Sequence, residues 1–179
     1  MKSGFNQLCR VALGCFAACL LIFPLLARAQ PHDLLKDSGK ADLVVVHKAE
    51  RTLELWSHGE TIAKYRVALG FNPVGPKEYE GDGRTPEGVY TVILHNAASH
   101  YYRSLKLDYP NAADVAAAKA KGLTPGGMIM IHGLPNSKTA AQVGHPARDW
   151  TDGCIAVTDD EMENIWTRVE NGTAVLIMP

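Results

Sequence analysis

Along most of this chain the apolar residues come in short runs and alternations, and only one segment has a clear helical stripe. Leu43-Val44-Val45-Val46 is apolar and rich in β-branched side chains, which predicts a buried strand. From Arg51 to Trp56 apolar and polar residues alternate, with Leu53 and Leu55 on one face. Ser57-His58-Gly59-Glu60 reads as a turn. Thr61 to Gly70 reads as a third strand, carrying Ile62, Val67 and Leu69. Together these segments predict a β-meander. Further strands are expected at Gly88–His95, Tyr101–Leu107, Gly127–Gly133 and Thr173–Met178.

Two segments have a different period. Asn111 to Lys121 is alanine-rich and predicts a helix that Gly122 ends. Thr158, with Glu161 three residues on, is a capping box. Asp159 and Asp160 suit the positive end of the helix that follows. Met162, Ile165, Trp166 and Val169 then form one apolar stripe, which is a core face. Residues 71–86, rich in glycine and proline, and residues 133–153 are expected to be long loops, and loops of that length are often functional. The fold class is therefore mainly β, a sheet or sandwich with one or two helices.

The N-terminus has another character. Lys2 and Arg10 precede an uncharged, mostly apolar run from Val11 to Ala27, and Ala27-Arg28-Ala29 has the A-x-A form of a cleavage site. Residues 1–29 thus read as a secretory signal peptide, and 30–41 as a polar linker to a domain at 42–179. An uncleaved anchor is the alternative, but the run is shorter than the ~20 residues a spanning helix needs. After cleavage no stable membrane insertion is expected. A lipoprotein signal fits poorly, because the apolar run continues past Cys15 and Cys19.

Cleavage changes charge and cysteine count. The full chain of 179 residues has a formal net charge of −1, so it carries no basic footprint for nucleic acid. Residues 1–29 contain Lys2, Arg10 and Arg28 and no acid, which makes the remainder mildly acidic. They also contain Cys9, Cys15 and Cys19, leaving Cys154 alone. An exported protein usually pairs its cysteines, so an unpaired one is either a small buried hydrophobe or a reactive group.

The surroundings of Cys154 favour reactivity. Gly153 immediately before it lets a substrate carbonyl approach the backbone. The position is a loop-to-strand junction. His132 ends the strand GMIMIH and is one loop away, so an imidazole can reach the thiol and take its proton. Taken alone, a strand-end histidine could equally be a core residue with satisfied nitrogens. Zinc binding by His132, His145 and Cys154 lacks paired ligand spacing.

Three blocks carry a resemblance to a known family: Gly81-Asp82-Gly83-Arg84-Thr85-Pro86-Glu87-Gly88-Val89-Tyr90, Ile131-His132-Gly133 and Thr151-Asp152-Gly153-Cys154-Ile155. In that order the chain resembles the L,D-transpeptidase catalytic domain (YkuD) family over about residues 42–179. The resemblance implies the family's β-rich fold. It implies that Cys154 attacks a carbonyl of a peptidoglycan stem peptide, releasing D-alanine and forming a thioester. It implies that His132 accepts and returns the proton, that Gly153 and Cys154 offer backbone oxyanion donors, that Thr151 orients His132, and that Gly133 lies against substrate. No metal or organic cofactor is implied, and the periplasm is the implied location.

Two positions depart from many members of the family, which carry histidine before the glycine and arginine two residues after the cysteine. Here these are Asp152 and Ala156. The pattern is closer to the YafK-like branch, some of whose members release an outer-membrane lipoprotein from the wall. A carboxylate facing a thiolate raises its pKa, so Asp152 is expected to face Arg148, Arg84 or solvent. Arg84 and Arg148 are candidate binders of a stem-peptide carboxylate. Arg84 could instead pin its own loop by pairing with Asp82 or Glu87. His95 and His145 are expected at the surface or in loops.

Overall fold

The computed structural model describes residues 39–179, so the expected signal segment and most of the linker lie outside the described residues. The strands are β1 Leu43–His47, β2 Thr52–Ser57, β3 Glu60–Arg66, β4 Gly88–Asn96, β5 Ser104–Leu107, β6 Met130–His132, β7 Ile155–Ala156 and β8 Ala174–Met178. The helices are α1 Ala112–Ala120, α2 Ala140–Val143 and α3 Asp159–Arg168. All strands join one sheet in the order β3-β2-β1-β8-β4-β5-β6-β7. β1 and β8 run parallel, as do β6 and β7, and the other neighbours are antiparallel.

The sheet curls until its two edges meet. β4 makes the bend: Gly88–Thr91 pair with β8, while Val92–Asn96 pair with β5 across a bulge between Val92 and Leu94. At the far edges Ala68 and Ala156 exchange backbone bonds of 3.0 and 2.8 Å. Thr151 N–H donates to Leu69 at 3.1 Å, and Phe71 N–H donates to Thr151 at 2.9 Å. The expected third strand therefore ends at Arg66. Residues 67–70 leave β2 and cover the edge beside β7, which puts the cysteine loop against a fixed wall.

The core sits inside the curl. Val44, Val46, Leu53, Leu55, Leu105, Ile131, Ile155 and Val175 are fully buried, and Met162, Ile165 and Val169 of the α3 segment pack onto the same cluster. Trp166 is half-buried at its margin. The Thr158–Glu161 capping box forms as expected, and Asn111 with Asp114 makes a second one on α1.

Two expected strands are shorter, for one reason. Tyr102 and Met128 have φ of 59°, a left-handed conformation that breaks a ladder. β5 therefore starts at Ser104, not Tyr101, and β6 at Met130, not Gly127. The four-residue helix α2 inside the second long loop was not expected from the sequence.

The loop 71–86 is held from within. Lys48 Nζ donates to Gly75 O (2.6 Å), Thr85 O (2.9 Å) and Glu87 Oε1 (2.7 Å), which uses all three of its protons. Burial pulls the Lys48 ammonium below the ordinary lysine range, against the opposing pull of Glu87. Asp82 accepts from Lys77 Nζ and from the N–H groups of Glu78, Tyr79 and Arg84. Burial alone would raise the Asp82 carboxyl; these four donors win and hold it below the usual range.

Candidate active site

β6 and β7 place the thiol and the imidazole together. They run parallel with Ile131 opposite Ile155 and His132 opposite Ala156. Cys154 immediately precedes β7. Both Cys154 and His132 line a cleft of about 270 Å³, with Tyr101, Gly127, Met128, Ile129, Trp150, Thr151 and Asp152.

His132 is 3% exposed. Its Nδ1 lies 2.7 Å from Gly133 O. A carbonyl only accepts, so the hydrogen is assigned to Nδ1 and Nε2 is the basic atom of the neutral ring. Tyr101 lies 4.4 Å from the imidazole, centre to centre, and Trp150 5.7 Å, so two aromatic rings fix its plane. Burial pushes His132 down to about 4; the Gly133 bond opposes this and nearby His145 adds to it.

Cys154 is half-buried and free. Its thiol donates to Met128 O at 3.4 Å, and the left-handed turn at Met128 aims that carbonyl. Desolvation pushes the thiol up to about 11. A backbone bond at Met130 lowers it, the Asp152 charge raises it, and Lys77 lowers it. Burial thus favours the uncharged form of both groups.

Gly153 is the residue the geometry demands. Its φ is +136°, and an added Cβ would lie 2.7 Å from Arg84 O and 3.1 Å from Ile129 Cδ1. Its N–H donates to Thr151 Oγ1 at 3.2 Å. Thr151 Oγ1 donates in turn to Cys154 O at 2.7 Å. Thr151 thus braces the cysteine loop, and the carbonyl of Gly133 holds the imidazole in its place. Thr151→Val should cost about 1–3 kcal/mol, because it strips a buried N–H and a carbonyl of their partner. Urea unfolding would check this.

Other expected positions are corrected. Gly133 is buried behind the ring and does not line the cleft. Arg84 pairs with neither Asp82 nor Glu87: Lys77 pairs with Asp82 and Lys48 with Glu87, each at 2.7 Å. Arg84 Nη1 reaches Pro76 O at 3.4 Å, its Nε is buried without a partner, and the side chain is outside the cleft wall. Arg148 is exposed and also outside it. His145 is buried at 8% exposure. His95 is half-buried and bonds Asn171 and Val169. Asp152 is exposed, as expected, yet it lines the cleft.

Several supporting residues carried no signal in the sequence. Asp149 forms a bidentate pair with Arg51, with contacts of 2.8–3.1 Å, and accepts from Leu69 N–H at 2.9 Å. It ties the loop before Cys154 to the β1–β2 turn and to residues 67–70. Asn136 accepts from Tyr102 N–H (2.7 Å) and donates to Ser99 O (3.0 Å), which steadies the segment carrying Tyr101.

The neutral burial of His132 has a pH consequence. Its folded pKa is about 4, below the ordinary 6.5, so the unfolded chain binds the extra proton between these values. Stability should fall as pH drops from about 6.5 toward 4, by up to about 3 kcal/mol from this residue. His132→Gln should flatten that part of the curve in denaturant melts taken across this range.

The fold is a curled, strand-rich sheet, and Cys154 and His132 line one cleft on it. The family is shown by comparison: the L,D-transpeptidase catalytic domain (YkuD) model matches residues 41–177, and the chain belongs to that family. It is 32% identical over 101 residues to YafK of Escherichia coli (strain K12), covering 53% of this chain and 39% of that protein. It is 28% identical over 139 residues to YqjB of Bacillus subtilis (strain 168), covering 75% of this chain and 69% of that one. Both are named after the L,D-transpeptidase family. The helical cell shape determining protein Pgp2 from Campylobacter jejuni has a similar structure, with a TM-score of 0.59 and 26% identity. That match covers 75% of this chain and 46% of Pgp2. The chain thus spans well under two thirds of YafK and of Pgp2.

Proposed function

We propose that this protein is an exported L,D-transpeptidase, active in the periplasm on peptidoglycan stem peptides through a thioester on Cys154. The observation that carries this reading is the cleft that Cys154 and His132 both line, with His132 Nδ1 already committed to Gly133. As the thiol sulfur attacks the donor carbonyl, its proton passes to His132 Nε2. The Cys154 N–H is the backbone donor left for the oxyanion. When the C–N bond breaks, Nε2–H returns the proton to the leaving amine, D-alanine in the simplest donor. An acceptor amine then loses a proton to Nε2 and attacks the thioester carbonyl; the C–S bond breaks, and Nε2–H returns that proton to the sulfur. Burial disfavours both the thiolate and the imidazolium, so attack on the carbonyl accompanies the proton transfer in this proposal.

Hydrolysis is the second reading, with water in place of the amine, trimming stems or releasing a wall-bound lipoprotein. Ala156 supports it: no arginine stands on β7, and none lines the cleft to hold an acceptor's carboxylate. Incubation with purified muropeptides, followed by mass spectrometry, tests both. New dimers or exchanged terminal D-amino acids are the expected products of transfer. Shortened stems with no acceptor adduct would assign hydrolysis.

A further inference from the structure

The cleft wall is sparsely charged. Of its nine lining residues, Asp152 is the only one with a formal charge at neutral pH, since burial keeps His132 neutral. Lys77 is the one cation whose field lowers the thiol, but its ammonium is spent on Asp82 at 2.7 Å, with both side chains almost fully buried. Arg84 and Arg148 stand outside the wall. Asp152 is exposed, beside the residue before Cys154, and its side chain makes no hydrogen bond or ion pair among the described residues.

A bare carboxylate here works against the enzyme unless something pairs with it. It repels carboxylates of an incoming peptide and disfavours the thiolate. A cation seated against it reverses both effects, and the cleft wall supplies none.

We propose that Asp152 is a specificity residue that binds a primary ammonium group of the substrate, so that the cleft selects peptides by a positive charge next to the scissile carbonyl. This rests on the reading that the cleft takes stem peptides, whose diamino acid carries such an ammonium. The same group sits on the donor stem and on the acceptor stem. Seating it beside Asp152 neutralises the charge nearest the sulfur, which couples recognition to attack. Asp152 acts by attraction only: it exchanges no proton and forms no bond.

The test uses binding, so that it does not depend on turnover. In the Cys154→Ala protein, affinities are measured by calorimetry for a tetrapeptide stem with a free side-chain amine and for the same stem N-acetylated there. The expected preference for the free amine is about tenfold at low salt, shrinking as salt is added. Adding Asp152→Asn should reduce it to about twofold or less; this change is nearly isosteric at an exposed position, so folding should survive. Equal binding of free and acetylated stems, binding of neither, or a preference that survives Asp152→Asn overturns the proposal.

A second measurement reads the carboxylate directly. Alkylation of Cys154 by neutral iodoacetamide should be several-fold faster at pH 8 in Asp152→Asn, with Lys77 and His132, the other groups acting on or beside the thiol, unchanged. An unchanged rate would mean that Asp152 does not reach the sulfur, and would overturn the coupling. If muropeptides are not turned over while binding preference and alkylation behave as stated, the proposed function fails and the Asp152 assignment stands.

Discussion

Cys154→Ala should lower turnover of stem peptides by on the order of 10⁴-fold or more, with KM little changed. In the proposed reaction the covalent intermediate forms on this sulfur, and Cys154 is the free cysteine among the described residues. The oxyanion donor and the binding cleft survive the substitution, so weak residual catalysis by positioning is all that remains. Unfolding should be nearly unaffected, because the half-buried thiol makes one 3.4 Å bond to Met128 O. Steady-state assays with muropeptides and a urea melt of the same sample separate the two effects. A loss of under tenfold would remove Cys154 from the reaction.

Gly70→Ala should unfold the domain or cost more than about 4 kcal/mol, the largest stability effect expected of any single methyl here. The added Cβ would lie 2.1 Å from Gly83 O, 2.9 Å from Gly83 C and 3.1 Å from Gly153 Cα. All three are backbone atoms, so no side chain can swing away. Three segments meet at this point: the closing edge at residues 67–70, the GDGRTPEG loop and the cysteine loop. Gly70 N–H also donates to Thr85 Oγ1 at 3.0 Å, which fixes the separation. Urea or thermal unfolding of the variant would show it; a cost below about 1 kcal/mol would mean that the segments are not packed as described.

How much of this was legible in the sequence depended on range. Local signals held. The Thr158–Glu161 box, the stripe from Met162 to Val169 and the alternation at Leu53 and Leu55 each depend on neighbours a few residues away, and each formed. The sequence singled out Cys154 and His132 by composition and by an apolar strand, and the structure has both lining one cleft. Contacts that decide the geometry were not. Ala68 meets Ala156, and Arg51 meets Asp149 across 98 positions, with no periodicity to announce either. The left-handed turn at Met128 is likewise invisible, since nothing about a methionine calls for it, and its carbonyl accepts from the Cys154 thiol. The contact to the imidazole, implied for Thr151, is made by the Gly133 carbonyl, and this too was not legible. A hydroxyl three residues from the cysteine carbonyl closes a local loop, whereas Gly133 is the nearest acceptor to Nδ1 by chain geometry.

Asp152 was the least legible residue. As a letter it looked like a cost to be turned away from the sulfur, and the cleft shows it facing the space where substrate would sit.

The most direct test of the thioester is a rapid acid quench of the wild-type protein with a tetrapeptide stem, followed by peptide mapping by mass spectrometry. The expected result is the donor stem, less its released D-amino acid, attached to the peptide that contains Cys154. Turnover of the stem with no adduct on that peptide, or with the adduct on another residue, would contradict it.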